Sequence, residues 1–485
     1  MRKRKILDKI SQFFYKNLYN KHKYIKAINH PLVHAFIYPI YSLFNLFYFH
    51  SVLKFYKKHI EKLIKDTQFF FIGRRDLGTH LYMLHYLVLW TKKRGKASLL
   101  IFTREPQNIL HLAKILIPDV SIIYPNRSLD YLATILFGHY YVYSYTLLPV
   151  YSYLVTQYPN FIHLFDLAEI SRANYNVFLD PLLSHPSCEL LPDTFIETYK
   201  QIRKQCDYRW DVFKDCFSLN NQMITPKVQV DGLLRSLKKK LNIQKPYVLL
   251  NINTKNYQGS SARRTIKYPE RYNSIIDSLI EKGYEVILQG RKEQPYFEPR
   301  KGLIDYSKSA FHSIEHDLAL YAGCEFVISN KSGIEIFATI CNIPILGLNY
   351  TELLGMHPAK KLRFYPKFLR NLQTGKMLSW QEHLISPHFF EIGVNTYGET
   401  VDYIEMNAEQ MVEALNEFLP FLDGPEDQWE SHTILQKQFK ASLTPLHMEL
   451  YLAKSVPCDA YLKSSNPCDS NKLKENKVYL SCGGN

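Results

Sequence analysis

The residues best suited to chemistry lie in one turn between a predicted apolar strand and a predicted helix. They are Asn330, Lys331, Ser332, Gly333 and Glu335. Hydroxyls and backbone N–H groups at the start of a helix can hold a phosphate, so this turn is a candidate diphosphate site. Lys331 would pair with the phosphate, and Glu335 would accept hydrogen bonds from a ribose. In the simpler alternative, Ser332 or Asn330 caps the helix, Lys331 lies on the surface and Glu335 only favours the helix dipole.

Two further polar stretches follow predicted strands. Arg263 and Arg264 lie in a long polar loop, and the planar fork of an Arg binds phosphate oxygens through two hydrogen bonds. Gln289, Gly290 and Arg291 end the next strand. Gly290 would let a ligand approach the backbone closely, and Arg291 would contact a phosphate or a base. For Arg263 and Arg264, the alternative is a solvated basic loop without a ligand.

Positioning these turns requires parallel strands whose carboxyl ends share one edge of a sheet. Short apolar runs alternate with segments of helical spacing in two separate parts of the chain, which predicts α/β structure with parallel sheets. Two Rossmann-like domains that face each other across a cleft would give a GT-B-like architecture. The first set of strands is predicted at 68–73, 97–102 and 120–125, and the second at 246–253, 284–290, 303–307, 325–329 and 343–348.

The domain limits follow from changes in composition along the chain. Between the two α/β parts, a linker is predicted at 220–232. The four expected regions are a basic aromatic leader with helical character at 1–66, an N-terminal Rossmann-like domain at 67–230, a C-terminal Rossmann-like domain at 244–423, and a helix with a polar tail at 424–485.

The basic charge is concentrated at the start of the chain. Residues 1–66 hold 14 Lys or Arg against 3 Asp or Glu, a net charge of +11 out of the +15 of the whole chain. A nucleic-acid groove in the residues after 66 would need a basic stripe of its own, so no nucleic-acid partner is predicted. The uncharged, aromatic run at 27–53 is rich in Pro and His, and no signal-peptide cleavage site follows it. Three placements of this run stay open. It would lie on an anionic membrane surface, pack against the rest of the protein or span the bilayer.

Metal and cofactor signatures are weak. The eight cysteines form no CxxC pair, and their spacing matches no zinc or haem pattern, which favours free thiols in a reducing cytosol. The first turn, Gly73 to Gly78, lacks both GxGxxG and the Walker pattern. No Asp-x-Asp stands at a strand end where Mg²⁺ would bind. We therefore predict no metal and no cofactor.

Several longer segments carry a resemblance to a known family. They are YPERYNSIIDSLIEKGYEVILQGR, LIDYSKSAFHSIEHDLALYAGCEFVISNKSGIEIFATICNIPILGLNY, FYPKFLRN and MLSWQEHL. Together they resemble an uncharacterised bacterial glycosyltransferase family of surface-polysaccharide and lipopolysaccharide gene clusters, over roughly residues 245–420. The resemblance implies a GT-B-like enzyme that moves a sugar from a nucleotide-sugar donor to a glycan or lipid-linked acceptor. We expect such an enzyme in the cytoplasm, where the basic leader would make peripheral contact with the inner face of the membrane.

Transfer to an acceptor hydroxyl needs a group that takes its proton. GT-B enzymes often carry this base after the first strand of the N-terminal domain, where this chain has Asp76, with His80 as second choice. The family tends to show a His after the Gly of that strand, whereas this chain has Arg74 and Arg75. The alternative is that Asp76 caps a helix. Two other activities stay open, a non-catalytic sugar-nucleotide or glycan-binding protein and a sugar-nucleotide epimerase.

Overall fold

The structure is a computed structural model of the 485-residue chain. The structure describes residues 54–59, 61, 68–72, 81, 84, 88, 97–101, 107–117, 121–123, 161–163, 227–254, 265–290, 297–351, 361–385, 401–425, 429, 433–442 and 456–464.

The first part of the body contains a parallel sheet. Its strands follow one another in the order β3-β2-β1-β4, and every pairing among them is parallel. The three strands predicted between 68 and 125 are confirmed, with ends that differ by a few residues. The elements are β1 (Gln68–Ile72), β2 (Ala97–Ile101), helix α1 (Gln107–Leu116), β3 (Ser121–Ile123) and β4 (Phe161–His163).

The second part contains a larger sheet and a small one. Runs of Val, Ile, Leu and Tyr form its central strands, which are buried on both faces, as expected of a parallel sheet. The strands are β5 (Tyr247–Asn251), β6 (Glu285–Leu288), β7 (Leu303–Asp305), β8 (Phe326–Ser329), β9 (Ile345–Tyr350), β10 (Leu362–Pro366), β11 (Phe368–Asn371), β12 (Val401–Ile404) and β13 (Val456–Pro457).

The order of the large sheet is β7-β6-β5-β8-β9-β10-β13, with parallel pairing throughout the described strands. The chain enters at β5 in the middle, moves outward to β7, and then returns to β8 on the other side of β5. The first six strands therefore have the strand order of a dinucleotide-binding Rossmann fold, with a point between β5 and β8 where the direction of winding reverses. Strands β11 and β12 pair antiparallel outside this sheet.

Helices cover both faces of the large sheet. Leu249 belongs to one hydrophobic cluster, whereas its neighbours Val248 and Leu250 belong to the other, because side chains alternate along a strand. Helices α2, α4 and α5 bury apolar side chains in the first cluster, and α3 and α7 in the second. The helices are α2 (Lys227–Leu241), α3 (Asn273–Glu281), α4 (Ile314–Gly323), α5 (Ile336–Cys341), α6 (Trp380–Ile385), α7 (Ala408–Phe418), α8 (Ile434–Ala441) and α9 (Asp459–Ser464).

Two segments differ from the sequence-based expectation. Residues 227–232 are the first part of helix α2 rather than a linker, because Val230, Leu234 and Leu237 form an apolar stripe that is buried. The segment after residue 424 contributes the edge strand β13 and two helices. The aromatic side chains of Trp429, Phe439 and Tyr461 are buried in the second cluster, so this part of the predicted tail belongs to the core.

The N-terminal part meets the second part through helices. Helix α1 packs against α2 and α4, with Leu112, Ala113 and Leu116 in the first hydrophobic cluster, and His111 Nδ1 lies 3.5 Å from Glu315 Oε1. The predicted leader run at 27–53 lies outside the described residues. No helix in the described part of the chain is long and apolar enough to cross a bilayer.

Candidate functional site

The reversal between β5 and β8 places two strand ends side by side. Asn251 pairs in register with Ser329 at their carboxyl ends. Just beyond, the backbone N–H of Asn253 donates a 3.0 Å hydrogen bond to Oδ1 of Asn330, which joins the two turns. In open α/β sheets the ligand binds in the crevice outside this point. The turn predicted to hold a diphosphate therefore lies beside the reversal point of the sheet.

The turn after β8 has an exposed tip and buried flanks. Gly333 is exposed and Ser332 is partly exposed, whereas Asn330 and Lys331 are buried, with Lys331 in the left-handed region at a φ of 68°. Ser332 makes no capping hydrogen bond through its side chain, and the side chain of Asn330 accepts from Asn253. The capping alternative is therefore wrong for Ser332. A ligand that enters the crevice would reach Ser332 and Gly333.

The helix predicted to follow this turn has two segments. Residues Gly333–Glu335 form one 3₁₀ turn, and helix α5 follows with only six residues. So short a helix adds few aligned peptide dipoles, which weakens the sequence-based argument from the helix dipole. What the structure offers to an anion is the turn itself.

Glu335 is fully buried beside β9. The hydroxyl of Tyr350 donates a 2.5 Å hydrogen bond to its Oε1. Lys331 Nζ lies 5.9 Å from the centre of the Tyr350 ring, within reach of a cation–π contact. The side chains of Lys331 and Glu335, predicted to touch phosphate and ribose, are thus packed in the interior beside the same tyrosine.

The end of β6 borders the same crevice. Gln289 is fully buried, and its Oε1 lies 3.5 Å from Nδ2 of Asn251, the last residue of β5. Gly290 is partly exposed and has a φ of 138°, a conformation that favours glycine. Gly290 thus offers backbone at the crevice, whereas Gln289 ties β6 to β5.

Asp317 on α4 lies beside Gln289 and was not singled out as a site residue from the sequence. It is buried, and burial raises the pKa of Asp317 from 3.8 to about 6, against the opposing effects of His312, Gln289, Tyr306 and His316. His312 Nε2 lies 3.7 Å from its Oδ1. The sequence favours only a capping role for His316 and Asp317, because an Asp near the start of a helix is an ordinary observation.

A buried ion pair anchors the described end of the polar loop. Lys367 Nζ lies 3.1 Å from Glu405 Oε1 and also donates to the carbonyl of Thr265 at 2.9 Å. Glu405 in turn accepts from the backbone N–H of Lys267 at 2.8 Å. Ile266 N–H then donates to the carbonyl of Asn253 at 2.7 Å. No sequence pattern pointed to this pair, whose members are 38 residues apart.

Five predicted site residues lie outside the described residues, namely Asp76, His80, Arg263, Arg264 and Arg291. Their roles stay predictions. Cys324 and Cys341 are free thiols, as predicted for the cysteines, and both are buried. Among the residues that the structure describes, no group of three or more His, Cys, Asp or Glu side chains is arranged to hold a metal. The prediction of metal independence is not tested by this observation.

We expect the Lys367–Glu405 pair to stabilise the loop end strongly. Lys367→Met and Glu405→Gln should each lower the free energy of unfolding by about 3–5 kcal/mol, since each leaves a buried polar partner uncompensated. The double variant should lose less than the sum of the two. Urea unfolding measures all three variants.

The exposed pair Arg370–Asp402, whose atoms Nη2 and Oδ2 are 2.7 Å apart, provides the control. Arg370→Ala should cost less than about 1 kcal/mol, because water screens the charges. A loss for Lys367→Met no larger than that for Arg370→Ala would show that the buried pair is not an anchor.

Asp317 should leave a signature in the pH dependence of stability. Because its folded-state pKa is raised, the native state binds a proton more tightly than the unfolded state between about pH 4 and 6. Its contribution to stability is therefore lost as the pH rises through 6. Asp317→Asn should be more stable than wild type at pH 7, by at most about 3 kcal/mol, and this advantage should vanish near pH 4.

Chemical denaturation of both proteins at several pH values measures the difference. Asp423→Asn, which changes an exposed carboxyl, is the control, and its difference from wild type should be small throughout. An Asp317→Asn difference that does not change between pH 4 and 7 would contradict the assignment.

Comparison with known proteins gives weak similarities. No protein-family model and no curated protein matches the chain. Among solved structures, it is similar to a family 9 glycosyl transferase from Veillonella parvula DSM 2008, at 12% identity and a TM-score of 0.33, over 59% of this chain and 81% of that one. It is also similar to CalG4, the calicheamicin glycosyltransferase, at 10% identity and a TM-score of 0.25, over 58% and 78%. At such low values, these similarities carry no argument about the activity of this chain.

Proposed function

We propose that the protein is a glycosyltransferase that moves a sugar from a nucleotide-sugar donor to a glycan or lipid-linked acceptor in bacterial surface-polysaccharide synthesis. The observation that carries this proposal is the reversal point between β5 and β8, bordered by the exposed Ser332–Gly333 tip and by Gly290. Rossmann-type sheets bind nucleotides at this point. The resemblance of residues 245–420 to a glycosyltransferase family supports the same reading.

The donor diphosphate would lie against the backbone of Gly290 and Gly333 and the hydroxyl of Ser332. Arg263 and Arg264 would complete the site. Arg264 directly precedes Thr265, whose carbonyl is held by Lys367, so the described end of the loop is anchored near the crevice. Two guanidinium groups would neutralise the charge that develops on the leaving diphosphate, a role that a metal ion otherwise supplies.

The acceptor would approach from the N-terminal domain across a GT-B-like cleft. In the reaction, the acceptor hydroxyl oxygen bonds to the anomeric carbon of the sugar, and the bond from that carbon to the diphosphate oxygen breaks. The hydroxyl proton passes to a base, for which Asp76 or His80 stands after β1. The nucleoside diphosphate leaves with the electron pair of the broken bond.

A nucleotide panel tests the donor site. UDP, GDP, CMP and ADP are compared by thermal shift, and at least one should raise the melting temperature through binding to the native state. Arg263→Ala with Arg264→Ala should weaken its affinity by about tenfold or more, because charged hydrogen bonds are lost. Unchanged affinity would refute the role of the two arginines.

The matched control removes two positive charges elsewhere. Arg235 and Lys239 are exposed on α2, and changing both to Ala should leave the affinity within about twofold, since surface charges are screened. Incubation with sugar nucleotides then separates the activities. Transfer to an acceptor supports the proposal, an altered donor without an acceptor indicates an epimerase, and binding without any reaction indicates a binding protein.

We also propose peripheral contact of the basic leader with the cytoplasmic face of the membrane. The net charge of +11 over residues 1–66 would attract anionic lipids, and the aromatic run would insert at the interface. The full-length protein should sediment with vesicles that contain phosphatidylglycerol and not with phosphatidylcholine vesicles, and about 0.5 M salt should release it. Full solubility with both vesicle types at low salt would contradict this proposal.

A further inference from the structure

We propose that Tyr350 is a positioning residue that holds the turn after β8 in the shape that receives a diphosphate. The inference rests on the proposed function for the identity of the ligand. It assigns Lys331 and Glu335 to the support of the turn rather than to contact with the donor.

Strand β9 ends in an irregularity that places Tyr350. Leu348 pairs with Tyr365 and Tyr350 pairs with Pro366, so Asn349 is skipped in the register, and its φ is 59°. Asn349 is buried and held from two sides. Its Nδ2 donates to the Tyr272 hydroxyl at 3.2 Å, and its Oδ1 accepts from Met406 N–H at 2.8 Å. A left-handed, non-glycine residue persists only where its surroundings fix it, and such residues cluster at functional sites.

The ring of Tyr350 is closely packed against Gly347 and Phe364. A Cβ on Gly347 would lie 2.5 Å from Cε1 of this ring, closer than real Cβ contacts, so only glycine leaves room here. The ring of Phe364 stacks against it, with centres 5.8 Å apart. Tyr350 is fully buried. Packing from β9 and β10 therefore holds the ring in place independently of its contacts with the turn.

From this position Tyr350 contacts both flanks of the turn. Its hydroxyl binds Glu335 Oε1 at 2.5 Å, and its ring lies 5.9 Å from Lys331 Nζ. Glu335 and Lys331 stand on either side of Ser332 and Gly333, which form the exposed tip. Because Tyr350 is rigid and contacts both flanks, it fixes the position of the tip without covering it. Preorganised backbone and hydroxyl groups bind an anion without paying for their own ordering.

The test compares two variants that each remove one buried hydroxyl. Tyr350→Phe removes the bond to Glu335. Tyr247→Phe removes a 2.8 Å bond to the carbonyl of Leu320 at the first residue of β5, the opposite end of the strand from the crevice. Binding of inorganic pyrophosphate and of UDP is measured by calorimetry. Tyr350→Phe should weaken both by about tenfold, whereas Tyr247→Phe should leave both within about twofold.

Variants at Glu335 separate support from ligand contact. Glu335→Gln keeps an oxygen that accepts from Tyr350 and should bind both probes within about twofold of wild type. Glu335→Leu removes the acceptor and should behave like Tyr350→Phe. If Glu335→Gln weakens UDP but not pyrophosphate while Tyr350→Phe changes neither, Glu335 contacts the ribose and the proposal is overturned.

A measurement without ligand keeps this inference independent of the proposed function. Backbone hydrogen exchange of a peptide that spans 330–337 should be faster in Tyr350→Phe than in wild type or Tyr247→Phe. The reason is that the turn loses the hydrogen bond between Tyr350 and Glu335. Equal exchange in all three proteins overturns the inference. If wild type binds neither pyrophosphate nor any nucleotide, the proposed function fails, whereas the exchange result still decides the role of Tyr350.

Discussion

The in-register pairing of β5 with β8 is the constraint on which the rest of the second part depends. It brings together two strands that lie 75 or more residues apart and makes the chain wind in opposite directions on either side of them. The winding covers both faces of the sheet with helices, which allows continuous apolar strands. It also leaves a crevice at the carboxyl ends of β5 and β8, the place where an α/β sheet presents backbone groups to a ligand.

Around that crevice, the residues of the turns fall into two groups that differ in burial. Those that are partly or fully exposed, Gly290, Ser332 and Gly333, are small and can approach an anion closely. Asn330 and Glu335 are buried, and they accept hydrogen bonds from the backbone of Asn253 and from the hydroxyl of Tyr350. A buried polar group without a partner would cost free energy, so these contacts are a condition of the fold as well as a support for the site.

Much of the secondary structure was predictable because it is locally encoded. Short apolar runs bounded by Gly, Pro and polar residues became strands with ends correct to within a few residues. Helix α2 extends into the predicted linker although Pro226 and Gly232 are usual helix breakers, because Pro precedes helices readily and one Gly is tolerated inside them. Strand β13 has two residues and exists only because β10 offers it an edge.

The sequence by itself determined that this chain alternates strands and helices, and that polar residues stand at two strand ends, at Gln289 and at Ser329. Periodicity and turn chemistry act over a few residues, so a single sequence displays them. Only the tertiary structure decided which polar residues face the crevice. Lys331 and Glu335 differ from Ser332 in burial, because strand β9 places Tyr350 beneath the turn. Burial depends on packing between distant segments, and no local pattern carries that information.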